Sequence, residues 1–195
     1  MRPLPTTLAV TASVATVVAV LAGPSADAKV VGKEHFTDSF TSDVYDCDGI
    51  PAQDSGTVRG NLTVVQRGSG AFPYFNEHVA GSVVTTNLST GGTFTNVFSA
   101  NTRDHKITDN GDGTITIVSY AAGGSRFYDQ FGKLVLKDPG TVRFAFDVDY
   151  NGTPSNPEDD IEVPDSFRIV RPSTGNSDLS GRDFCADLAR FTSSP

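Results

Sequence analysis

Residues Lys106–Tyr150 read KITDNGDGTITIVSYAAGGSRFYDQFGKLVLKDPGTVRFAFDVDY. At its centre, Thr114, Ile115, Thr116, Ile117 and Val118 form a β-branched run that fits a pleated, half-buried surface. At its end, Val142, Phe144, Phe146, Val148 and Tyr150 alternate with Thr141, Arg143, Ala145, Asp147 and Asp149. Period two over this length predicts a strand with one apolar and one wet face. Asp109-Asn110-Gly111-Asp112-Gly113 supplies residues that tolerate the left-handed backbone of a tight hairpin. Gly123-Gly124, Phe131-Gly132 and Asp138-Pro139-Gly140 read as three further turns. The stretch therefore predicts an antiparallel meander of four strands, and the whole chain reads as all-β.

Outward from this meander the same pattern continues. His35, Phe36, Ser39 and Phe40 sit in a first strand, and Asp48-Gly49-Ile50-Pro51 breaks it. Strands follow at 57–66, 74–86 and 93–99, with Gly81 as a kink or bulge and a short piece at 104–108. About eight strands joined by short turns predict an up-and-down β-barrel, with a β-sandwich as the alternative. Residues 153–164 are Pro-rich and acidic and read as a loop, and 167–170 as a last strand. Ser180 with Asp183 resembles a capping box, and Phe184, Leu188 and Phe191 follow at helical spacing. One short C-terminal helix is expected over 181–191.

The first 28 residues have a different character. Arg2 precedes an apolar run from Leu8 to Leu21, and Ala26-Asp27-Ala28 is an A-x-A cleavage signal. This predicts a signal peptide over 1–28 and one β domain over 29–195. The run is too short for a convincing membrane span. Cys47 and Cys185 are the only cysteines, and an even pair in an exported chain predicts a disulfide. The expected product is a secreted, monomeric domain.

The net charge of −8 argues against nucleic acid and against docking on anionic membranes. It predicts no membrane contact once the leader is removed. The sharpest chemical motif is Asp147-Val148-Asp149-Tyr150-Asn151-Gly152 with Glu158 six residues on, which satisfies the spacing of a calcium loop. Asp147, Asp149, Asn151 and Glu158 would supply the oxygens that a hard cation needs. The flanks read as strand and loop rather than as helices, and a solvated turn explains the same residues. Calcium is thus the one candidate cofactor.

Aromatic residues mark candidate lining for a small partly apolar ligand: Tyr74 and Phe75 in one strand, Phe127 and Tyr128 in another. Glu77 and His78 are candidate general bases, although adjacent strand residues point to opposite faces. No nucleophile elbow, phosphate loop or zinc motif is present in the sequence. The leading expectation is a non-enzymatic binding module. A calcium-stabilised structural or adhesion module is one alternative, and a barrel isomerase or hydrolase is another.

Several segments carry a resemblance. Thr57-Val-Arg-Gly, Asp109-Asn-Gly-Asp-Gly-Thr-Ile-Thr, Tyr128-Asp-Gln-Phe-Gly-Lys, Asp138-Pro-Gly-Thr-Val-Arg, Gly152-Thr-Pro, Glu158-Asp-Asp and Asp183-Phe-Cys resemble a group of exported actinobacterial β-rich proteins without an assigned function. That resemblance implies secretion, a single β domain and the Cys47–Cys185 pairing, and no activity. A looser architectural likeness is to lipocalin and allene oxide cyclase barrels, and architecture alone does not carry function.

Overall fold

The structure, a computed structural model, describes residues 28–68 and 70–193. The leader read in the sequence lies almost wholly outside these residues. Nine strands and one helix follow in order: β1 Lys29–Thr41, β2 Tyr45–Cys47, β3 Ile50–Gln66, β4 Tyr74–Asn87, β5 Thr93–Asp109, β6 Thr114–Tyr128, β7 Leu134–Asp149, β8 Ile161–Glu162, β9 Arg168–Arg171 and α1 Phe184–Phe191. All strands belong to one antiparallel sheet of order β1-β3-β4-β5-β6-β7-β8. In it β2 extends β1 along the edge of β3, and β9 pairs with β7.

The meander has fewer, longer strands than its turn residues suggest. Gly123 faces Gly140 and Gly124 faces Pro139 inside the β6–β7 ladder, so neither segment is a turn. Pro139 is tolerated because the backbone of this part of β7 bonds outward at the neighbouring same-face positions. Asp178 N–H donates to Lys137 O, and Thr174 N–H donates to Thr141 O. The missing proline N–H therefore points to the sheet edge. The hairpin at 110–113 is present, with Gly111 and Gly113 at φ 79° and 93°. The pieces expected at 93–99 and 104–108 are one strand, β5, with a bulge at His105. Gly81 is no bulge either. It stays in register between Val58 and Phe98 and leaves room for the Phe98 ring, which a Cβ would meet at 3.0 Å.

The sheet is open, and the expected barrel closure is not formed. No ladder joins β1 to β7, β8 or β9 among the described residues. Two physical reasons are visible. The outer edge of β7 is already occupied by the chain's own C-terminal segment, through β8, β9 and the bonds at Lys137 and Thr141. At the other edge, β1 places Glu34 and Asp38 between Gly32, Phe36 and Phe40 on one face. Inward-pointing charges are a common protection of an edge strand. Phe36 and Phe40 lie across Gly60 and Gly56 of β3, directly opposite in the ladder. Aromatic rings shielding cross-strand glycines hold this edge in register.

Strand alternation gives the sheet an inner, shielded face and an outer, solvent face. The inner face is packed at two ends. At one end Phe94, Phe127, Leu136, Ala52 and Cys47 are buried beneath α1. Phe94 stacks on Phe127 and on Phe191, each at 5.5 Å between centroids. At the other end Ile115, Ile117 and Val148 are buried with Phe72 and Tyr150, whose rings meet edge-on at 5.2 Å.

The helix is shorter than the expected span and starts at a different cap. Asp183, not Ser180, is the N-cap, and its carboxylate accepts the Ala186 N–H at 2.9 Å. Leu188 is fully buried and Phe184 and Phe191 flank it, as the i, i+4, i+7 spacing requires. Thr192 closes the helix and is itself held by Asn87, whose side-chain amide donates to Thr192 Oγ1 at 2.9 Å. The disulfide Cys47–Cys185 joins β2 to this helix.

Candidate functional site

The residues singled out in the sequence do not converge. Tyr74 and Phe75 begin β4, whereas Phe127 and Tyr128 end β6. Phe127 is in register with Asn96, and Asn96 with Val83, nine residues along β4 from Tyr74. At about 3.4 Å per residue the two aromatic pairs lie roughly 30 Å apart. Each has its own partner. Arg67 covers the Tyr74 ring at 4.0 Å, and Phe127 is packed in the helix-capped core.

Glu77 and His78 point to opposite faces, as expected for neighbours on a strand. His78 is on the outer face, with Nδ1 3.0 Å from Asn101 Oδ1. Glu77 is on the inner face, half-buried, and burial holds its carboxyl above the usual range. Its row across the sheet is Leu62, Thr102, Ala121 and Val142. Beyond Leu62 the row reaches Glu34 of β1, so the second acid in it stands two strands, roughly 10 Å, from Glu77.

In the calcium-like loop each candidate ligand is engaged differently. Both oxygens of Asp147 accept from the Arg168 guanidinium, at 3.1 and 3.2 Å, and Oδ1 also accepts from Thr116 Oγ1 at 2.7 Å. These bonds hold the Asp147 carboxyl below its usual range, the Arg168 bond first. Asp149 accepts the Asn151 N–H at 2.8 Å. The Asn151 amide donates to the Asp159 carbonyl. Asn151 and Gly152 take the left-handed conformation, at φ 49° and 75°, so the loop turns sharply where the motif says it should. Asp147, Asp149 and Glu158 nevertheless do not bring three donor atoms together. Among the described residues the set that does, within 4.8 Å, is Asp48, Asp183 and Cys185. Its sulfur is tied up in the disulfide, and Asp183 caps α1.

The feature that sequence reading missed is a trough on the inner face, between the two packed ends. It has a volume of about 490 Å³. Its floor is Ala100 of β5, Ala121 and Gly123 of β6, and Gly140 and Val142 of β7. Phe98 and Ser173 form walls, and the Asp138 side lines one end. Small residues lie directly opposite one another here, Ala100 against Gly123 and Gly123 against Gly140. That register is why no side chain fills the space. Ser173 leans on Gly140 so closely that a Cβ there would lie 2.1 Å from its hydroxyl. The signal was present in the sequence as Ala121-Ala122-Gly123-Gly124 and Asp138-Pro139-Gly140, which local rules assign to turns.

A second inner-face carboxylate is structural. Asp104 is 6 % exposed and accepts from Ser119 Oγ at 2.7 Å and from the Phe75 N–H at 2.9 Å. Burial still outweighs these bonds and pushes its carboxyl up.

Fold and site together define a class: a disulfide-closed, antiparallel β domain with one open sheet and a small-residue trough on its shielded face. The chain matches no protein-family profile, no curated protein and no solved structure.

Proposed function

We propose that this protein is an exported, non-enzymatic binding module. Its inner-face trough takes a small ligand with an apolar body and a cationic or hydrogen-bond-donating end. The single observation that carries the reading is the trough itself, an unfilled apolar concavity floored by Ala and Gly on three adjacent strands. Rigid strands hold its floor and the Phe98 wall, which favours a preformed site, and Ser173 closes it from the segment after β9. Asp138 is the polar group that would orient the donor end. Export is supported by the Cys47–Cys185 bridge, since such bonds persist in oxidising compartments. Among the described residues no helix is long and apolar enough to cross a membrane.

The test uses the oxidised chain and the fluorescent amine N-phenylnaphthylamine. The wild type gives a saturable one-to-one enhancement. Ala121→Phe fills the trough and removes it, and Asp138→Asn weakens it. An enhancement that survives Ala121→Phe, or none in the wild type, refutes the reading.

A further inference from the structure

Apart from Lys29 at the start of β1, the alternation of β1–β7 sorts the charges by sign. The inner face carries Glu34, Asp38, Asp54, Glu77, Asp104 and Asp138. The outer face carries Lys33, Arg59, Arg103, Arg126, Lys137 and Arg143. Outer-face acids of these strands are Asp46, at the tip of β2, and Asp147 and Asp149, at the end of β7. Asp147 is already neutralised by Arg168. A chain with net charge −8 thus presents a basic sheet face to solvent. Solvent-exposed charges are screened beyond about 8 Å at physiological ionic strength, so a ligand on this face feels the cations beside it more than the acids on the opposite face.

The basic face has a centre. Arg103, Tyr120, Arg143 and Arg171 stand directly opposite one another across β5, β6, β7 and β9. The Arg143 guanidinium lies 4.3 Å from the Tyr120 ring centroid, and that of Arg103 lies 5.9 Å from it. Along β6 and β7, Arg126 faces Lys137 as a second like-charge pair. Like charges directly opposite in a ladder are destabilising. Here Arg143 faces Arg171 and Arg126 faces Lys137, and none of the four makes an ion pair among the described residues. The acid beside them is Asp178, which accepts the Lys137 backbone N–H. Arg143 also keeps a buried Nε with no hydrogen-bond partner. A fold with acids to spare has therefore left two like-charge pairs without an ion pair on one sheet face.

We propose that this outer face binds an acidic polysaccharide, with Arg103, Arg143 and Arg171 in one row and Arg126 and Lys137 in a second as its cations. Strand spacing puts Arg143 and Arg171, and likewise Arg126 and Lys137, roughly 5 Å apart across the sheet, Arg103 roughly 10 Å from Arg143, and the two groups roughly 20 Å apart along β7. Two cation groups spaced along one sheet face suit a linear polymer bearing carboxylates or sulfates, and guanidinium groups grip both in bidentate fashion. Single-stranded nucleic acid fits less well, because its bases stack on bare aromatic faces. The outer-face rings of Tyr120 and Tyr74 are already covered by arginines.

The experiment measures binding of the oxidised full domain to dextran sulfate and to polygalacturonate over a salt series. A single-stranded oligonucleotide and phosphatidylserine vesicles are parallel arms. The wild type binds at least one polysaccharide at low salt, and affinity falls as salt rises. Arg103→Glu/Arg143→Glu/Arg171→Glu weakens it about tenfold or more, taking exposed charge contacts at the upper end of their usual worth. The Gln triple variant carries the same test if the Glu variant fails to fold. It also melts no lower than the wild type, because it removes a repulsive pair. Arg190→Gln, on α1, leaves binding unchanged. Undiminished binding by the triple variants, no polysaccharide binding by the wild type, or equal or tighter binding to the oligonucleotide or the vesicles overturns the proposal. The trough lies on the opposite face, so Ala121→Phe leaves polysaccharide binding intact and keeps the two readings separable.

Discussion

Removing the disulfide by Cys47→Ala/Cys185→Ala tests how the domain is held closed. The bridge spans 138 residues of sequence, so it excludes most of the domain's extended conformations when the chain unfolds. For a closed loop of that length the chain-entropy model gives about 5 kcal/mol at 25 °C, and engineered cases usually deliver less. The native end of the bridge is well supported without it. Leu188 is fully buried, Phe94 stacks on Phe191, and Asn87 bonds Thr192, so α1 keeps its seat when the sulfurs are lost. Cys47 is itself buried, and alanine leaves only a small cavity in the cluster. The loss should thus act mainly through the unfolded state. At roughly 2–4 °C per kcal/mol for a domain of this size, Tm should fall by about 10–20 °C. Thermal melts of both proteins by circular dichroism, with reversibility checked by a second scan, give the number. The variant's spectrum at 25 °C should match the wild type. A fall of only a few degrees would refute the reasoning and show that the unfolded chain is already compact across this span. A wild-type-like Tm with an altered native spectrum would instead place the effect in the folded state.

Two further outcomes follow from the charged groups. Asp104 has its carboxyl pushed above the ordinary 3.8, first by burial, so the folded state holds its proton to higher pH than the unfolded chain does. The associated stability is full below the unfolded value and is lost as pH rises through the folded one. Denaturant unfolding at stepped pH should show the wild type losing stability relative to Asp104→Asn as pH climbs from about 4. A wild type that gains on the variant over that range contradicts the assignment. Asp147 runs the other way: its carboxyl is lowered, first by the Arg168 hydrogen bond, so its contribution is present above the unfolded value and is lost as pH falls through the folded one. Arg168→Gln should move the acid unfolding midpoint upward, and melts in calcium, magnesium and chelator should coincide for the wild type. A calcium-specific rise in Tm would return the 147–158 loop to the status of a metal site.

How much was legible in the residues varied with the range of the interaction that decides them. Strand identity at Thr114–Val118 and at Thr141–Tyr150 follows from period-two alternation, which is local, and both are strands up to Asp149 in the second. The 109–113 hairpin is written in residues that need positive φ, and it forms. The helix face was readable from Phe184, Leu188 and Phe191, but its cap was not. Ser180 and Asp183 are both competent N-caps, and the left-handed backbone at Gly181, φ 73°, keeps the helix from starting before Asp183. Gly123-Gly124 and Asp138-Pro139-Gly140 carry turn chemistry in isolation. They became strand because each segment lies opposite the other, where neither needs a side chain to pack.

The sequence by itself determined the alternation of every long strand, and with it which residues share a face. Glu77 and His78 were bound to part company, and the cysteines had only each other to pair with. Only the tertiary structure decided the register, and register is set by contacts between distant segments. It put Phe36 over Gly60, left Ala100, Ala121, Gly123 and Gly140 as an unfilled trough, and lined up Arg103, Tyr120, Arg143 and Arg171 in one row. Closure was decided at the same level. The edge of β7 is paired with the C-terminal segment and so is not open to β1, which carries the inward Glu34 and Asp38.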